Sequence, residues 1–368
     1  MKVLILNPIL FTADNNVIPQ VKSIKDTMIY NMCLGFKRLG HDVTLAAAEE
    51  YASAEKEAYD FEILFFKSKC KKLFPPAMLP FSPELWPYIK ENEKSFDLLI
   101  SSETFSVQSL FAARICPEKT VIWQELTDHQ NKFHRLPSKI WHNVIVRLFM
   151  QRIAAVAPRS GPAYKFISKY MPQTVKQIVD HGINVDKFTY SEKKERQIIS
   201  SSQLILRKNI DGIIRIFQQF HEMEAYKDIK LLIAGRGEEE ANLKKLVSEL
   251  KLSESVRFLG FLPQQTLNKY IRESLCFLIN TRKDLNMVSI PESIVSGTPI
   301  LTNTQPASAG YIQANKLGIA KNQWGVDELK EIINSFYVKN CIGYRDNLTN
   351  VHSAQLLTDI YKKSIQKQ

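Results

Sequence analysis

Glycine is scarce in this chain. It provides 13 of the 368 residues, about half of the roughly 7% that is usual in soluble proteins. Loops that let a phosphate group approach the backbone closely depend on glycine, because it lacks a β-carbon and adopts positive φ at little cost. Loops that cradle phosphate with several glycines are therefore few here.

Long apolar runs are missing as well. No segment approaches the roughly 18 to 20 apolar residues that span a bilayer. The first residues, MKVLILNPILF, are interrupted by Asn7-Pro8, and no small-residue cleavage site follows. They predict the first buried strand of a parallel sheet rather than a signal peptide.

The chain also lacks clustered metal ligands. Its five cysteines are scattered, without zinc or CxxC spacing, and its seven histidines are dispersed. Free thiols indicate a reducing, cytoplasmic compartment. Neither a metal nor a cofactor is expected.

Acidic residues are absent from His129 to Val179. The basic residues of this stretch are Lys132, Arg135, Lys139, Arg147, Arg152, Arg159, Lys165, Lys169 and Lys176. With a net charge of +11, the pattern favours a solvated basic face, an anionic membrane surface on the inner side of a plasma membrane, or a phosphate-bearing acceptor. Binding to nucleic acid would depend on charge alone, because no nucleic-acid fingerprint is present, and it is not expected.

What the chain does contain is an alternation of strands and helices. Its 368 residues, 45% of them hydrophobic and 24% charged, suffice for two domains of a soluble protein. Predicted strands include Lys2–Leu6, Val43–Leu45, 96–100 and 120–123, and predicted helices include 23–39 and 139–155. This order predicts an α/β protein with parallel sheets, whose ligands bind beyond the carboxyl ends of the strands.

The stretch from Asn280 to Pro299 carries the strongest chemical signal. It follows an apolar run, 275–279, that predicts a buried strand. Pro291 suits the first turn of a helix, and it would place Glu292 near that helix's N-terminus. A strand, a loop and a helix start in this order are the parts of an anion or nucleotide site. Asp284 and Glu292 bracket the loop with seven residues between them.

This arrangement resembles the acidic signature of GT-B glycosyltransferases of the retaining family 4. That signature is a Glu, seven residues, a second Glu and then Gly-x-Pro. Asp284 stands at the first position, Glu292 at the second, and Gly297-Thr298-Pro299 follows. The loop glycine of the family is absent, and Met287 stands near its place.

Four further blocks of the family recur in the usual order. They are His181-Gly182-Ile183, Ser202-Gln203-Leu204 with Lys208, Gly235-Arg236-Gly237 after a strand, and Val256 to Phe261. Gln203 replaces the family's phosphate-site arginine, and Ser202 replaces its glycine. Arg207, next to Lys208, would compensate for the lost charge.

The resemblance implies a GT-B fold of two Rossmann-like domains facing each other across a cleft. An acceptor domain would span 1–190 and a nucleotide-sugar domain 197–345, and a helix in 346–368 would cross back to the first domain. The relatives' acceptor side has a histidine or an acid after the strand that ends near Trp123. Glu125 and His129 are the favoured residues there.

The resemblance also implies roles in the nucleotide-sugar domain. Lys208 would stabilise the departing diphosphate, Asp284 would hold sugar hydroxyls, and Glu292 would hold the ribose. The remaining predicted donor-binding residues are Gln203, Arg207, Gly235, Arg236, Phe261, Leu285, Asn286, Met287 and Val288, the last four through backbone N–H groups.

The predicted reaction is retaining transfer of a hexose or N-acetylhexosamine, without a metal. A UDP-sugar is the favoured donor, and a glycan, a lipid-linked sugar or a protein is the acceptor. Bacterial surface polysaccharide or glycoconjugate synthesis is the expected context. The alternative is a catalytically degenerate GT-B protein that acts as a sugar-binding or partner subunit, which the departures at Ser202, Gln203, Asp284 and Met287 favour.

Overall fold

The computed structural model describes residues 1–11, 17–130, 132–283, 287–333 and 336–366. The chain forms two compact units. The N-terminal unit comprises Met1–Gly182 and Thr349–Gln368, and the C-terminal unit comprises Ile183–Leu348. The first unit thus ends eight residues before the predicted boundary at 190, and the returning segment begins at Thr349 rather than at 346.

The N-terminal unit is built on a parallel sheet of six strands in the order β3-β2-β1-β4-β5-β6. The strands are β1 (Lys2–Leu6), β2 (Asp42–Ala48), β3 (Glu62–Phe66), β4 (Leu98–Ser102), β5 (Thr120–Gln124) and β6 (Ala155–Pro158). Apolar runs in β1, β4 and β5 are buried almost throughout. That is the pattern of strands covered by helices on both faces.

Helices pack on both faces of this sheet. They are α1 (Met28–Arg38), α2 (Leu85–Asn92), α3 (Val107–Ile115), α4 (Leu136–Ile140), a π-helical segment (Trp141–Val146), α5 (Arg147–Phe149), α6 (Gly161–Ile167) and α14 (Asn350–Ile365). The helix predicted from residue 23 begins five residues later, because the Thr27 side chain accepts from the N–H of Tyr30 and caps the helix there.

The predicted long helix at 139–155 was wrong at both ends. The helical stretch runs from Leu136 to Phe149. Residues from Ala155 onward form β6 instead. Ala155, Val156 and Ala157 are fully or almost fully buried beside β5, and a strand uses their apolar side chains on both faces, whereas a surface helix would expose them.

The last helix returns to the N-terminal unit, as predicted. Helix α14 packs against α1, and Gly35 makes this close approach feasible, since a β-carbon there would lie 2.2 Å from the carbonyl oxygen of Asn350. The Asn350 side chain also donates to the carbonyl oxygen of Asn31 across the same contact, at 2.7 Å.

The C-terminal unit has a second parallel sheet, in the order β12-β11-β10-β7-β8-β9. Its strands are β7 (Gln197–Ser201), β8 (Lys230–Ala234), β9 (Val256–Gly260), β10 (Phe277–Leu278), β11 (Ile300–Thr302) and β12 (Gly318–Ala320). Its helices are α7 (Ile210–His221), α8 (Glu240–Glu249), α9 (Gln264–Glu273), α10 (Ser289–Val295), α11 (Ala309–Ala314), α12 (Val326–Ile333) and α13 (Tyr337–Tyr344). Within the described parts of the chain, no helix has the length and apolar character needed to cross a bilayer.

Candidate functional site

A narrow crevice opens at the carboxyl ends of β7 and β10. It is lined by Ser200, Ser201, Ser202, Lys208, Ile210, Ile213, Leu278, Ile279, Asn280, Thr281 and Met287. Strand order turns here, because β7 continues to β8 on one side and pairs with β10 on the other. This is the position at which open parallel sheets bind ligands. The structure thus brings Lys208 and Met287, predicted separately, to one crevice.

The turn that carries Lys208 is fastened to the loop after β10. Lys208 ends a 3₁₀ turn that begins at Leu206. The carbonyl oxygen of Arg207 accepts from the N–H of Arg282, at 2.8 Å, and from the Thr281 hydroxyl, at 3.1 Å. The Arg207 guanidinium donates to the carbonyl oxygen of Lys283, at 3.2 Å. Arg207 therefore holds the second loop in place.

The loops after β7 and β8 are packed backbone to backbone. The N–H of Ser202 donates to the carbonyl oxygen of Ala234, at 3.1 Å, and that of Leu204 donates to Arg236, at 2.9 Å. Gly235 has a φ of 130°. The predicted Gly-x-Gly therefore allows the backbones of the loops after β7 and β8 to contact each other. Beside it, the side chains of Gln203 and Arg236 are exposed.

Phe261 follows the carboxyl end of β9 and is 72% exposed. An aromatic ring that is left open to solvent at this edge of a sheet offers a flat apolar surface for a nucleotide base. The Arg236 side chain approaches Gly260, the residue before it. Arg236 and Phe261 are therefore neighbours along the rim of the C-terminal unit.

Glu292 lies in the first turn of α10, as predicted, and only 8% of it is exposed. Burial raises the pKa of its carboxyl to about 8. No ion pair or side-chain hydrogen bond to Glu292 occurs among the residues that the structure describes. A carboxyl of this kind is ready to accept hydroxyl donors, because its charged form gains more from them than an exposed one would.

The helix bearing Glu292 is fixed at both ends. At its start, the backbone N–H of Glu292 donates to the carbonyl oxygen of Val288, at 3.1 Å. The Met287 side chain is packed in the core, whereas Val288 is 39% exposed. At the other end Gly297 has a φ of 71°, which ends the helix and leads to Pro299, whose carbonyl oxygen accepts from β10. The predicted residues Asp284, Leu285 and Asn286 lie outside the described residues.

The N-terminal unit has a cavity of about 290 Å³ at the carboxyl ends of β1, β4, β5 and β6. Its apolar walls are Pro8, Ile9, Leu10, Phe11, Met28, Met78, Leu79, Pro80, Phe105 and Leu126. Its polar lining is Asn7, Ser102, Glu103, Ser106, Gln108, Glu125, Gln130 and Arg159. The predicted Glu125 therefore lines a cavity that is largely apolar and charged on one side.

Sequence reasoning missed Glu103, the residue after β4. Its backbone has a φ of 68°, which is rare for a residue with a side chain. Its carboxylate accepts from the N–H of Glu125, at 2.7 Å, and from the Gln124 side chain, at 2.8 Å. Burial and then the neighbouring Glu125 raise its pKa to about 7. An acid directly after a predicted buried strand was the available signal.

One buried guanidinium organises the acids around this cavity. Arg159 is 5% exposed and donates to Glu125, at 2.6 Å, while its planar group lies 4.1 Å from the ring centre of Trp123. It also contacts the ring of His181. Burial raises the pKa of Asp180 to about 7, Arg159 opposes that shift and Glu125 adds to it.

His129 is held within the fold. One ring nitrogen lies 3.1 Å from the Ser138 hydroxyl, and the other lies 3.1 Å from the Tyr170 hydroxyl. Burial lowers its pKa. It is not among the residues that line the described cavity. The geometry therefore separates the two predicted acceptor residues, with Glu125 in the cavity wall and His129 behind it.

Residues 184–350, which include almost all of the C-terminal unit, match the family model described as glycosyl transferases group 1. This part of the chain is therefore similar to the glycosyl transferases of group 1. The match covers the Lys208 turn, the two glycines after β8, Phe261 and Glu292, so the predicted resemblance to group 1 glycosyltransferases is confirmed, while the assignment to the retaining family 4 stays a prediction.

A curated relative is the α-monoglucosyldiacylglycerol synthase of Streptococcus pneumoniae, 24% identical over 190 residues. The alignment covers 47% of this chain and 43% of that protein. The chain spans about half the length of the curated relatives it matches.

Two solved structures show the same fold over the whole chain. Sucrose-phosphate synthase from Thermosynechococcus elongatus has a TM-score of 0.66 at 12% identity, and the match covers 100% of both chains. Anabaena HepE in complex with UDP and glucose has a TM-score of 0.61 at 13% identity, and the match covers 100% of this chain and 99% of that one. The prediction of a GT-B fold with two Rossmann-like domains is confirmed.

Proposed function

We propose that this protein transfers a sugar from a nucleotide-sugar donor, with a UDP-sugar favoured, to an acceptor hydroxyl. The observation that carries the proposal is the crevice at the ends of β7 and β10, where a lysine meets two interlocked loops. This lies within residues 184–350, the part that matches the group 1 family model. The UDP and glucose bound by the similarly folded Anabaena HepE support the choice of donor.

Each residue has a role in the proposed donor site. The diphosphate lies in the crevice, where the Lys208 ammonium balances the charge that develops as the bond from C1 of the sugar to the phosphate oxygen breaks. Arg207 supplies a second cation on the same turn, in place of the arginine that Gln203 replaces. Glu292 accepts from the ribose hydroxyls, and Phe261 supports the base.

The acceptor binds in the cavity of the N-terminal unit. Glu125 orients the acceptor hydroxyl, whose oxygen forms the new bond to C1 as the bond from C1 to the phosphate oxygen breaks, and the hydroxyl proton passes to the departing diphosphate. The apolar walls favour an acceptor with an apolar portion, such as a lipid-linked sugar, over a free glycan or a protein. The diacylglycerol named in the pneumococcal relative agrees with such an acceptor. Transfer is proposed to retain the anomeric configuration and to use no metal.

Peripheral attachment to the inner face of a plasma membrane follows from the same proposal. The acid-free stretch from His129 to Val179 would be attracted to anionic lipid. Synthesis of a bacterial cell-surface glycolipid or polysaccharide is the process that this combination favours.

The test is a donor panel. Purified full-length protein is titrated calorimetrically with UDP-, GDP- and ADP-sugars, and hydrolysis and transfer are then followed by mass spectrometry. We expect micromolar to millimolar binding of one nucleotide class and slow hydrolysis of its sugar. The anomeric signal of the product by NMR tests retention. Absence of both binding and turnover across the panel would overturn the proposal.

A second candidate is a degenerate subunit that binds a donor or a sugar without transferring it. The exposed, uncharged Gln203 beside the crevice favours it. Tight binding of one nucleotide sugar, with neither hydrolysis of that sugar nor its transfer to any lipid extract or oligosaccharide, would select this candidate over the enzyme.

A further inference from the structure

The helical stretch 136–149 carries a row of exposed aliphatic side chains. It consists of α4, the π-helical segment and α5. The row comprises Leu136, 58% exposed, Ile140, 51%, Val144, 43%, and Leu148, 68%. Four large apolar residues in one exposed line on a surface helix are unusual, since single exposed apolar residues are the normal case.

The spacing of the row follows from the mixed helix. In an α-helix, residues four apart drift by about 40° around the axis, because a turn takes 3.6 residues. In a π-helix, whose turns contain more residues, residues four apart are displaced around the axis in the opposite direction. A helix that changes from α to π therefore keeps residues four apart in one line. The buried residues obey the same period: they are Ser138, His142, Val146 and Met150. The exposed row therefore lies opposite the side that holds the helix to the unit.

A third row with this period is basic. Arg135, Lys139 and Arg147 occur at intervals of four or eight residues, and each lies one position before a member of the apolar row. The Arg147 guanidinium lies over the ring of Tyr170, 5.9 Å from the ring centre, so the Arg147 side chain lies along the protein surface. Arg135 is paired with Asp128, at 2.6 Å, whereas the stretch from His129 to Val179 itself contains no acidic residue.

We propose that the helix 136–149 lies in the interface of an anionic bilayer and inserts Leu136, Ile140, Val144 and Leu148 among the lipid chains. Charge complementarity selects this occupant: an apolar row edged by Lys139 and Arg147, on a helix that contains no acidic residue, fits a sheet of anionic head groups over hydrocarbon. A protein surface would instead have to offer a matching line of acids. The inference deepens the membrane attachment proposed above from attraction by charge to insertion by a defined helix face.

The same helix also forms part of the support of the acceptor cavity. The Trp141 indole N–H donates to the carbonyl oxygen of Thr104, at 2.8 Å, and the Trp141 ring meets that of Phe105 edge-on, with centroids 5.6 Å apart. Phe105 is a wall of the cavity. Insertion of the helix would therefore keep the cavity close to the bilayer, which suits the lipid-linked acceptor of the proposed function.

The experiment is co-sedimentation of the full-length protein with vesicles. One set contains phosphatidylcholine alone, and the other contains equal parts phosphatidylcholine and phosphatidylglycerol, each at low and at high salt. The test variant is Ile140→Gln with Leu148→Gln. The matched control is Val17→Gln with Ile365→Gln, which removes two exposed apolar residues of the same unit, 67% and 44% exposed.

We expect the wild type to bind anionic vesicles and to retain part of this binding at high salt. The test variant should bind at least about tenfold more weakly, because two inserted aliphatic side chains are lost, and the control should bind like the wild type. Equal binding by the test variant and the control would overturn the insertion. A change in oligomeric state of the test variant in sedimentation velocity, without a change in vesicle binding, would show that the row contacts a second copy.

Nucleotide binding, measured on the same samples without lipid, separates this inference from the proposed function. The test variant should bind the nucleotide as the wild type does. Vesicle binding that depends on the row, in a protein that binds no nucleotide sugar, would uphold the insertion and count against the transferase.

Discussion

A β-carbon on Gly235 would lie 1.8 Å from the carbonyl oxygen of Ser202. No side chain fits at this distance, so the loop after β8 rests directly on the loop after β7. The chain has few glycines, and this one serves the contact between the loops that form the proposed donor site.

Replacement of Gly235 by alanine should therefore damage both the fold and the site. The clash, together with a φ of 130°, should lower the free energy of unfolding by about 2 kcal/mol or more. Affinity for the nucleotide should fall at least about tenfold, because the Ser202 loop must move. Urea unfolding and calorimetry measure the two effects.

The matched control is Gly310→Ala. Gly310 lies in α11, and a β-carbon there would meet nothing within 4 Å. This change should leave nucleotide binding intact and stabilise the unit by roughly 0.5–1 kcal/mol. If both variants behaved alike, the loop contact would not matter for the site.

Lys208 provides the sharpest test of the chemistry. Lys208→Ala should lower the rate of sugar transfer by at least about a hundredfold, because the departing diphosphate loses a fixed cation. Lys208→Arg should recover part of the loss. The melting temperature should stay within a few degrees of the wild type.

Lys245→Ala is the control for charge alone, since this side chain is 78% exposed on α8. It should leave transfer unchanged. Normal activity of Lys208→Ala, with donor binding intact, would remove Lys208 from the mechanism and leave Arg207 as the cation to examine.

The fold was predictable because its signals are local. Apolar runs predicted buried parallel strands, and Pro291 predicted a helix start beside Glu292, where α10 begins. The mixed helix at 136–149 was not predictable, because its α and π parts share a period of four that the usual helical template does not contain. The strand at Ala155 follows only from pairing with β5, a distant contact.

The candidate site was predictable where one residue carries its own signal. Glu292 lies between Pro291 and Gly297-Thr298-Pro299, and Lys208 stands in a block that resembles the family's. The structure places Lys208 in a crevice and Glu292 at a helix start. Glu103 and Arg159 carry no such pattern. Their significance arises from burial and from partners more than twenty residues away, such as Glu125 and His181, and those depend on the packed sheet.

Glu292 should make stability depend on pH. Burial raises its pKa from an ordinary 4.5 to about 8, so its stabilising contribution is complete below pH 4.5 and is lost as the pH rises through 8. Glu292→Gln removes the titration. At pH 9 the variant should exceed the wild type by roughly 4 kcal/mol in free energy of unfolding, and at pH 5 the two should be similar.

The same substitution should weaken nucleotide binding, because an amide accepts ribose hydroxyls less strongly than a carboxylate. A gain in stability with a loss of binding would identify Glu292 as a binding residue retained at a cost to the fold. Glu238→Gln, at an exposed position, should change neither quantity. A variant that bound the nucleotide normally would contradict the ribose assignment.

Arg159 should stabilise the N-terminal unit and its cavity without affecting the nucleotide. Arg159→Gln leaves Glu125, Glu103 and Asp180 without their buried cation and should lower the free energy of unfolding by about 3 kcal/mol at pH 7.5. Burial already raises the pKa of Glu103 and of Asp180 to about 7. Their contribution to stability is therefore lost as the pH rises through 7.

The loss of unfolding free energy in the Arg159→Gln variant should grow between pH 6 and pH 8.5, because Arg159 lowers the pKa values of Glu103 and Asp180 in the wild type. Urea unfolding across this range measures it, with the exposed Arg152→Gln as the control for net charge. Nucleotide binding should be unchanged at pH 6, where the variant remains folded, while turnover with a lipid-linked acceptor should fall. A stability deficit that is independent of pH would mean that Arg159 acts through packing on Trp123, and not through the acids.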